Sequence, residues 1–376
     1  MALLNILDPE KAEMALSAWW QRRNPGHSDI TVEGLEIPLA SGMSSETILF
    51  ALRRTEESGE VKVGHFAARV ILPGGEIFPD YDVQLQAHAM QTVRATTRAP
   101  APEVFAVEDD LSVLGAPFLL MQRLDGKTLA DDPPFTVAGW YSELTDAGRA
   151  AIFTNGLAAL AEVHRADVST FPPTVLGHGD RATGTATAQH LRHWAQFYHW
   201  SRKGKTHPVI EPALRWLNEN CPTDEPDVGI VWGDARLGNM MFSADHHVTA
   251  ILDWELVALG PAEIDVGWFA VLNRMYTDGI GVTPPGGFPT RAETFFRYSE
   301  LAGRPLRNFH FYEVLAGVRL AIVLMRIAHM LIEKGMMPAD NPMPVTNPAT
   351  VVLADLLGIE AHGTEVGWVS GHRRAD

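Results

Sequence analysis

The sequence predicts an α+β protein in which a small antiparallel sheet comes first and a larger, mainly helical part follows. Three observations predict it. The stretches Thr31–Leu39, Glu46–Arg53 and Val61–Leu72 alternate apolar and polar residues between turns bearing Gly and Ser, as half-buried strands do. From about Phe135 onward the apolar spacing becomes helical. Between Gly229 and Trp268, a short apolar run breaks at Gly233-Asp234, and two brief strands, Met240–Phe242 and Val248–Leu252, flank a turn at Ser243–His247.

Composition narrows the function classes. A chain of 376 residues suits one large or two modest domains and has ample length to bury a core. Its 46% apolar and 20% charged residues are those of a soluble globular protein. A single cysteine, Cys221, forbids an internal disulfide and fits a reducing cytoplasm, where it reads as a small structural residue. The first turns carry Asp8, Glu10, Lys11 and Glu13, which a secretory leader would not. The most apolar segment, Val314–Ile332, holds Arg319, Arg326 and His329, so it reads as a buried helix and not as a membrane span. A formal net charge of −16 argues against nucleic acid as a partner.

In chain order, Pro9–Arg22 reads as an amphipathic helix with Trp19 and Trp20 on or near its packing face. After the first three strands, Asp82–Ala95 reads as a helix, and Glu103–Val107 and Pro117–Arg123 as two more strands. Asp125-Gly126 marks the expected boundary between a first domain, 1–124, and a second, 125–376. Ala147–Ala166 is helical and contains His164, read as a structural hydrogen-bonding histidine on a packed helix. Gln189–Arg202 is an aromatic, locally basic helix carrying His190, Arg192, His193, His199 and Arg202, with Lys203 and Lys205 just beyond. Its charges read equally as a solvated face or as substrate contacts.

Further helices are expected at Glu263–Met275, Arg291–Leu301, Asn308–Gly335 and Ala349–Leu357, with a Pro-rich connection over Met337–Pro348 and a loose tail after Gly363. Arg319 and Arg326 lie seven apart on one face of an apolar helix. Buried arginines need partners, expected to be Asp265 or Glu263, with a substrate carboxylate or phosphate as the alternative.

The hairpin carries the chemistry. Its geometry brings Asp234, Asn239 and Asp253 to one end of a small sheet. Two carboxylates and an amide oxygen suit Mg²⁺, a hard cation that shares its octahedron with phosphate and water. Any one of these acids alone would read as a solvated turn residue. The ordered set Asp-x-x-x-x-Asn, with an Asp fourteen residues further on at a strand end, is the protein-kinase order of catalytic Asp, metal-binding Asn and second metal-binding Asp. With Asp253-Trp254-Glu255, the stretch resembles the aminoglycoside phosphotransferase and choline kinase family. TAILDWELVALGPAEIDVGW is especially similar to the branch that includes kinase domains attached to acyl-CoA dehydrogenases.

The resemblance, which covers roughly Thr31 to Ile332, implies a bilobal protein-kinase-like fold with ATP in the cleft between lobes. It implies that Asp234 accepts or orients a hydroxyl proton, that Asn239 and Asp253 hold Mg²⁺, and that Arg236 either offsets charge near the transferring group or pairs with a neighbouring acid. Glu255 and Asp265 are given supporting roles. The turn after Leu39 takes the place of the phosphate-covering loop, with Ser41, Gly42, Ser44 and Ser45 as contacts. Arg69 stands where the family places a strand lysine on the α and β phosphates, with Lys62 as the alternative cation; a guanidinium stays charged and binds phosphate bidentately. Gln86 takes the place of the glutamate that orients this cation, and Gln122 to Leu124 take the place of the adenine hinge.

This sequence departs from the family at Arg69, at Gln86 and at Trp232, which replaces the usual histidine before Gly-Asp. His178-Gly179-Asp180 spells the family's motif but lacks an Asn five residues on, so it is rejected as the catalytic loop. The reading is an ATP- and Mg²⁺-dependent phosphotransferase acting on a small-molecule alcohol, neutral or anionic in preference to polycationic, with neither nucleic acid nor membrane as a partner. A non-catalytic nucleotide-binding pseudokinase is the alternative, and a metal-dependent phosphohydrolase is poorer because one metal site is evident.

Overall fold

Helix α1 (Pro9–Arg23) starts where Asp8 accepts the amides of Glu10 and Lys11 and Pro9 occupies the first turn, a strong local start signal. It lies beside β1 (Ser28–Glu36), the edge of a five-stranded antiparallel sheet ordered β1-β2-β3-β5-β4. The other strands are β2 (Glu46–Thr55), β3 (Val61–Val70), β4 (Val104–Glu108) and β5 (Phe118–Gln122). Ser17 and Glu13 of α1 accept the amides of Val32 and Leu35, so the helix satisfies edge groups that would otherwise template another strand.

The computed structural model describes residues 7–38, 45–71, 77–171 and 184–361. They divide into two compact units. The first runs up to Gln91 and resumes over Pro102–Leu124; the second comprises Thr92–Ala101 and the chain from Asp125 onward. The expected phosphate-loop residues Ser41, Gly42 and Ser44, the His178–Asp180 motif and the tail lie outside the described residues.

In the first unit, strand alternation assigns the two sheet faces. Ile48, Phe50, Phe66, Ala68 and Val70 point into one core with Leu16, Trp19 and Trp20 of α1. Trp20 lies 5.3 Å from Phe66 and Trp19 lies 5.2 Å from Phe118, both ring to ring. Arg69, paired in register with Thr47, therefore faces the opposite side. Helix α2 (Val83–Thr96) follows, and a short helix α3 (Leu111–Leu114), unexpected from the sequence, links β4 to β5.

The second unit is mainly helical. The segment from Asp131 to Leu144 forms turns, not the helix expected from Phe135, and α4 (Asp146–Val163) begins at its Thr145 cap. Then come α5 (Ala186–Ser201) and α6 (Ile210–Glu219). The sequence reading missed α6 because Pro212 falls inside it, but its first turn tolerates a proline. A ring nitrogen of His207 accepts the amides of Val209 and Ile210 and caps it.

Strand β6 (Val228–Val231) pairs not with the hairpin β7 (Met240–Phe242)–β8 (Val248–Ile251) but with β9 (Ala258–Pro261). Helices α7 (Glu263–Met275), α8 (Arg291–Ala302), α9 (Phe309–Glu333) and α10 (Pro348–Leu357) complete the unit. Helix α9 is long and apolar enough to cross a membrane, yet 72% of its most apolar window is buried inside the protein.

Candidate active site

Gly233 is the pivot of the site. At φ +94° it turns β6 into the loop bearing Asp234, and a Cβ there would lie 2.1 Å from the Leu256 carbonyl oxygen. The turn is held from beneath by Asp265 in the first turn of α7. Its carboxylate accepts the amides of Trp232 (2.6 Å) and Gly233 (2.9 Å) and a bond from His164 Nε2 (3.0 Å). His164 is held through its other nitrogen by the Tyr298 hydroxyl. Asp265 is fully buried, so these donors are what make its charge tolerable there.

The loop then passes a 3₁₀ turn, Leu237–Asn239, and enters the hairpin, where Met240 faces Ile251 and the Leu252 amide donates to the Asn239 carbonyl (2.8 Å). This pairing puts Asn239 and Asp253 at the same end of the hairpin. Asn239 donates its amide nitrogen to Asp234 Oδ2 (2.6 Å) and to the Asp234 carbonyl (3.1 Å), which leaves its amide oxygen as the uncommitted atom. Asp253 sits at φ +61°, an uncommon backbone for a residue other than glycine and of the kind that clusters at functional sites.

Trp232 is fully buried against Trp254, 6.1 Å ring to ring. Its indole donates to both the Leu252 (3.0 Å) and Asp253 (3.1 Å) carbonyls. The tryptophan at this departure thus ties the Asp234 loop to the strand end that carries Asp253.

Asp234 is mostly buried, its side chain 17% exposed. Burial pushes its carboxyl above the usual range; Arg236 opposes this, Asp253 adds to it, and the donors Trp268 and Asn239 oppose it. Arg236 donates Nε to Asp234 (3.2 Å) and Nη1 to Asp131 (2.6 Å), and Asp131 also accepts the Tyr276 hydroxyl. Burial works against the arginine's charge, but the two carboxylates outweigh it and hold its pKa raised. Of the two roles left open for Arg236, the structure records the acid pairing.

An oxygen-ligand cation fits this donor set. Asn239 turns its oxygen away from the Asp234 contact, and Asp253 stands at the same hairpin end. Among the described residues no cluster of three His, Cys, Asp or Glu side chains could hold a metal alone. An ion here would need phosphate or water to complete its shell, which is how Mg²⁺ is ordinarily shared.

The first unit carries the remaining candidates. Arg69 is buried at 9% exposure in the middle of the sheet. Lys62 is excluded as its alternative: it lies on the other face of β3, near the far end, and pairs with Glu56 (2.8 Å) and Glu60 (3.6 Å). Gln86 is corrected. It is 1% exposed on α2, but among the described residues no hydrogen bond joins its amide to Arg69; a neutral amide can orient a guanidinium through such a bond but does not neutralise it. Ser45 stands buried just ahead of β2. In the hinge segment, the Gln122 amide donates to the Glu103 carbonyl (2.8 Å) and the Arg123 amide to the His65 carbonyl (3.2 Å). Among the described residues, none bonds to either backbone group of Leu124.

The partners expected for the two arginines of α9 are corrected in part: Asp265 acts on Arg319 through its charge but makes no hydrogen bond to it. Arg319 donates to the Gly233 carbonyl (2.7 Å) and lies between the rings of Trp268 (4.5 Å) and Trp194 (5.0 Å). Burial lowers its pKa to about 10. Arg326 lies over Trp200 (4.6 Å) and 3.8 Å from Glu333. Glu263 is taken by Arg304 through two bonds (2.6 and 2.9 Å). Sequence reasoning missed Trp268, which donates to Asp234 Oδ1 (2.8 Å), and Asp131. Trp268 closes the conspicuous hairpin stretch and offered that signal; Asp131, 103 residues before Asp234, offered none.

Comparison with known proteins accords with this geometry. The acyl-CoA dehydrogenase family member 10 of Mus musculus is 26% identical over 264 residues, 67% of this chain and 23% of that protein. A protein of Arabidopsis thaliana assigned as an acyl-CoA dehydrogenase, IBR3, is 26% identical over 286 residues, 70% of this chain and 33% of its own length. This chain thus spans a third or less of these relatives.

Among solved structures, a Ralstonia eutropha protein assigned as an aminoglycoside phosphotransferase superposes with a TM-score of 0.64 at 22% identity, covering 94% of this chain and 99% of that one. The ethanolamine kinase of Plasmodium vivax superposes with a TM-score of 0.51 at 10% identity, covering 86% and 82%. At these identities the likeness concerns the fold, an α+β bilobal, protein-kinase-like architecture. A sequence model of the phosphotransferase enzyme family matches residues 61–305, about two thirds of the chain, including Asp234, Asn239 and Asp253, and the chain belongs to that family.

Proposed function

We propose that this protein moves the γ-phosphoryl group of ATP to a hydroxyl of a small molecule in a Mg²⁺-dependent reaction. The observation that carries the reading is the Asp234–Asn239 bond at the hairpin end that also bears Asp253. Asp234 accepts or orients the hydroxyl proton, and most of the catalysis is positioning because the transition state is loose. Asn239 and Asp253 hold Mg²⁺, which when bound supplies charge neutralisation for the phosphates. Arg69 steadies the α and β phosphates, and the uncommitted backbone of Leu124 recognises the base.

A solved relative, aminoglycoside phosphotransferase APH(4)-Ia in ternary complex with ADP and hygromycin B, supports a nucleotide at such a site (TM-score 0.50, 18% identity, covering 85% of this chain and 92% of that one). The acceptor is a small-molecule alcohol. The preference for a neutral or anionic one loses support at the end of α5, where Arg202 pairs with Glu211 and Lys203 with Glu333. Of the three departures that motivate the non-catalytic alternative, Trp232, Gln86 and Arg69, the first loses force, since the Trp232 indole has a defined structural task. A cytoplasmic setting, suggested by the lone cysteine and by ATP as donor, belongs to the same proposal.

The test is ADP formation from Mg-ATP across a panel of alcohols. Asp234→Ala and Asp253→Ala are each expected to remain folded and to lose this turnover by roughly a hundredfold or more. Parental turnover in either variant would overturn the assignment.

A further inference from the structure

We propose that Trp268 is a positioning residue for this transfer: its indole N–H fixes Asp234 so that Oδ1 is the oxygen that receives the acceptor hydroxyl, and Arg319 fixes the indole. The inference rests on the phosphotransferase reading above, although the contact itself does not.

Lone-pair accounting singles out the oxygen. A carboxylate oxygen accepts about two hydrogen bonds. Oδ2 of Asp234 already takes two donors, Asn239 Nδ2 at 2.6 Å and Arg236 Nε at 3.2 Å. Oδ1 takes one, Trp268 Nε1 at 2.8 Å. The place left for an incoming O–H is therefore on Oδ1, beside the indole. In the transfer the acceptor's O–H bond breaks and its proton goes to Oδ1. The oxygen's electron pair forms the new bond to the γ-phosphorus as the bond to the bridging oxygen breaks, leaving the nucleoside diphosphate.

An indole suits this task because it donates one hydrogen bond, accepts none, and adds neither a charge nor a competing proton. It is also packed on its face. Trp268 is 3% exposed, and the Arg319 guanidinium lies 4.5 Å from its ring centre. Arg319 is in turn anchored by the Gly233 carbonyl (2.7 Å) and by the Trp194 ring, so one buried cation ties the indole to the residue just before Asp234. Arg319 Nε and Nη1 make no hydrogen bond among the described residues, so the two rings and the one carbonyl are its direct contacts, with the Asp265 and Asp234 carboxylates acting on its charge from further off. Without the indole N–H, a carboxylate tethered only through Oδ2 would turn about that anchor, and a misplaced reacting group costs rate much more than binding.

Two measurements test this. The indole N–H resonance of Trp268, identified in ¹⁵N-labelled protein by its loss in Trp268→Phe, is expected to move upfield in Asp234→Ala; a resonance that stays put overturns the contact and the proposal with it. Trp268→Phe, which keeps a ring over Arg319, is expected to lower kcat for ADP formation from Mg-ATP roughly tenfold while KM for ATP stays within about twofold. Unchanged kcat, or a loss confined to KM, overturns the proposal. If Trp268→Phe fails to fold, 3-benzothienylalanine at position 268 removes the N–H with the ring shape kept, and the same two outcomes decide. Parental turnover in Asp234→Ala would instead sink the phosphotransferase reading, while the resonance still reports on the contact.

Discussion

At Gly233 two constraints coincide. The backbone occupies the left-handed region, and the Leu256 carbonyl oxygen stands where a Cβ would go. Gly233→Ala must either strain the turn or push the backbone around Leu256 aside, so it is expected to cost about 3 kcal/mol of stability. It should also displace Asp234, next in the chain, so turnover should fall with stability. Urea unfolding beside an ADP-formation assay checks both; a stable, active variant would mean that the loop is not held in the conformation described. Trp232 illustrates the same tight coupling. One N–H reaches the two consecutive carbonyls that flank the Cα of Asp253, so a residue that looked like a defect in the motif is a strut.

Among the elements, β9 and α5 set a pH response. The His190 ring nitrogen meets the Leu259 carbonyl at 2.9 Å, and Gly260 leaves room for the ring, since a Cβ there would lie 3.0 Å from His190 Nε2. Burial lowers the His190 pKa to about 4. The unfolded chain takes up its proton near pH 6.5 and the folded chain only near 4, so the unfolded state binds more protons between these values. Stability from this group is therefore full above about pH 6.5 and is lost as pH falls toward 4, by roughly 3 kcal/mol. His190→Gln, which keeps a donor for Leu259, should lose less stability than the parent between pH 7 and 4.5. Equal losses in denaturant titrations would contradict the buried neutral imidazole.

For the whole molecule, the two-unit organisation separates the candidate functions. The first unit holds Arg69 and the uncommitted Leu124 backbone; the second holds the Asp234 loop and the hairpin. If nucleotide and Mg²⁺ bind together, thermal stability should rise with both present and rise little with either alone, by an increment set by ligand excess over Kd, about 2.7 kcal/mol at a hundredfold excess. A nucleotide shift that ignores Mg²⁺ would remove Asn239 and Asp253 from the phosphate site.

The sequence by itself determined the order of sheet and helices and the candidate set at the hairpin, because both are written locally. Strand alternation has period two, and Asn239 and Asp253 flank one hairpin whose turn sets their register, with Asp234 five residues earlier in the loop that leads into it. It also exposed Arg319 as a charge in need of company. What that company is only the tertiary structure decided, since a cation over two indole rings and a carbonyl from distant elements leaves no local pattern. The same holds for Asp131 beside Arg236, for β9 pairing with β6 through a Gly-Pro segment that reads as a turn, and for the absence of a Gln86–Arg69 bond. Long-range partners are chosen by packing and by where buried polar groups can be satisfied, and those demands appear only once the chain has folded.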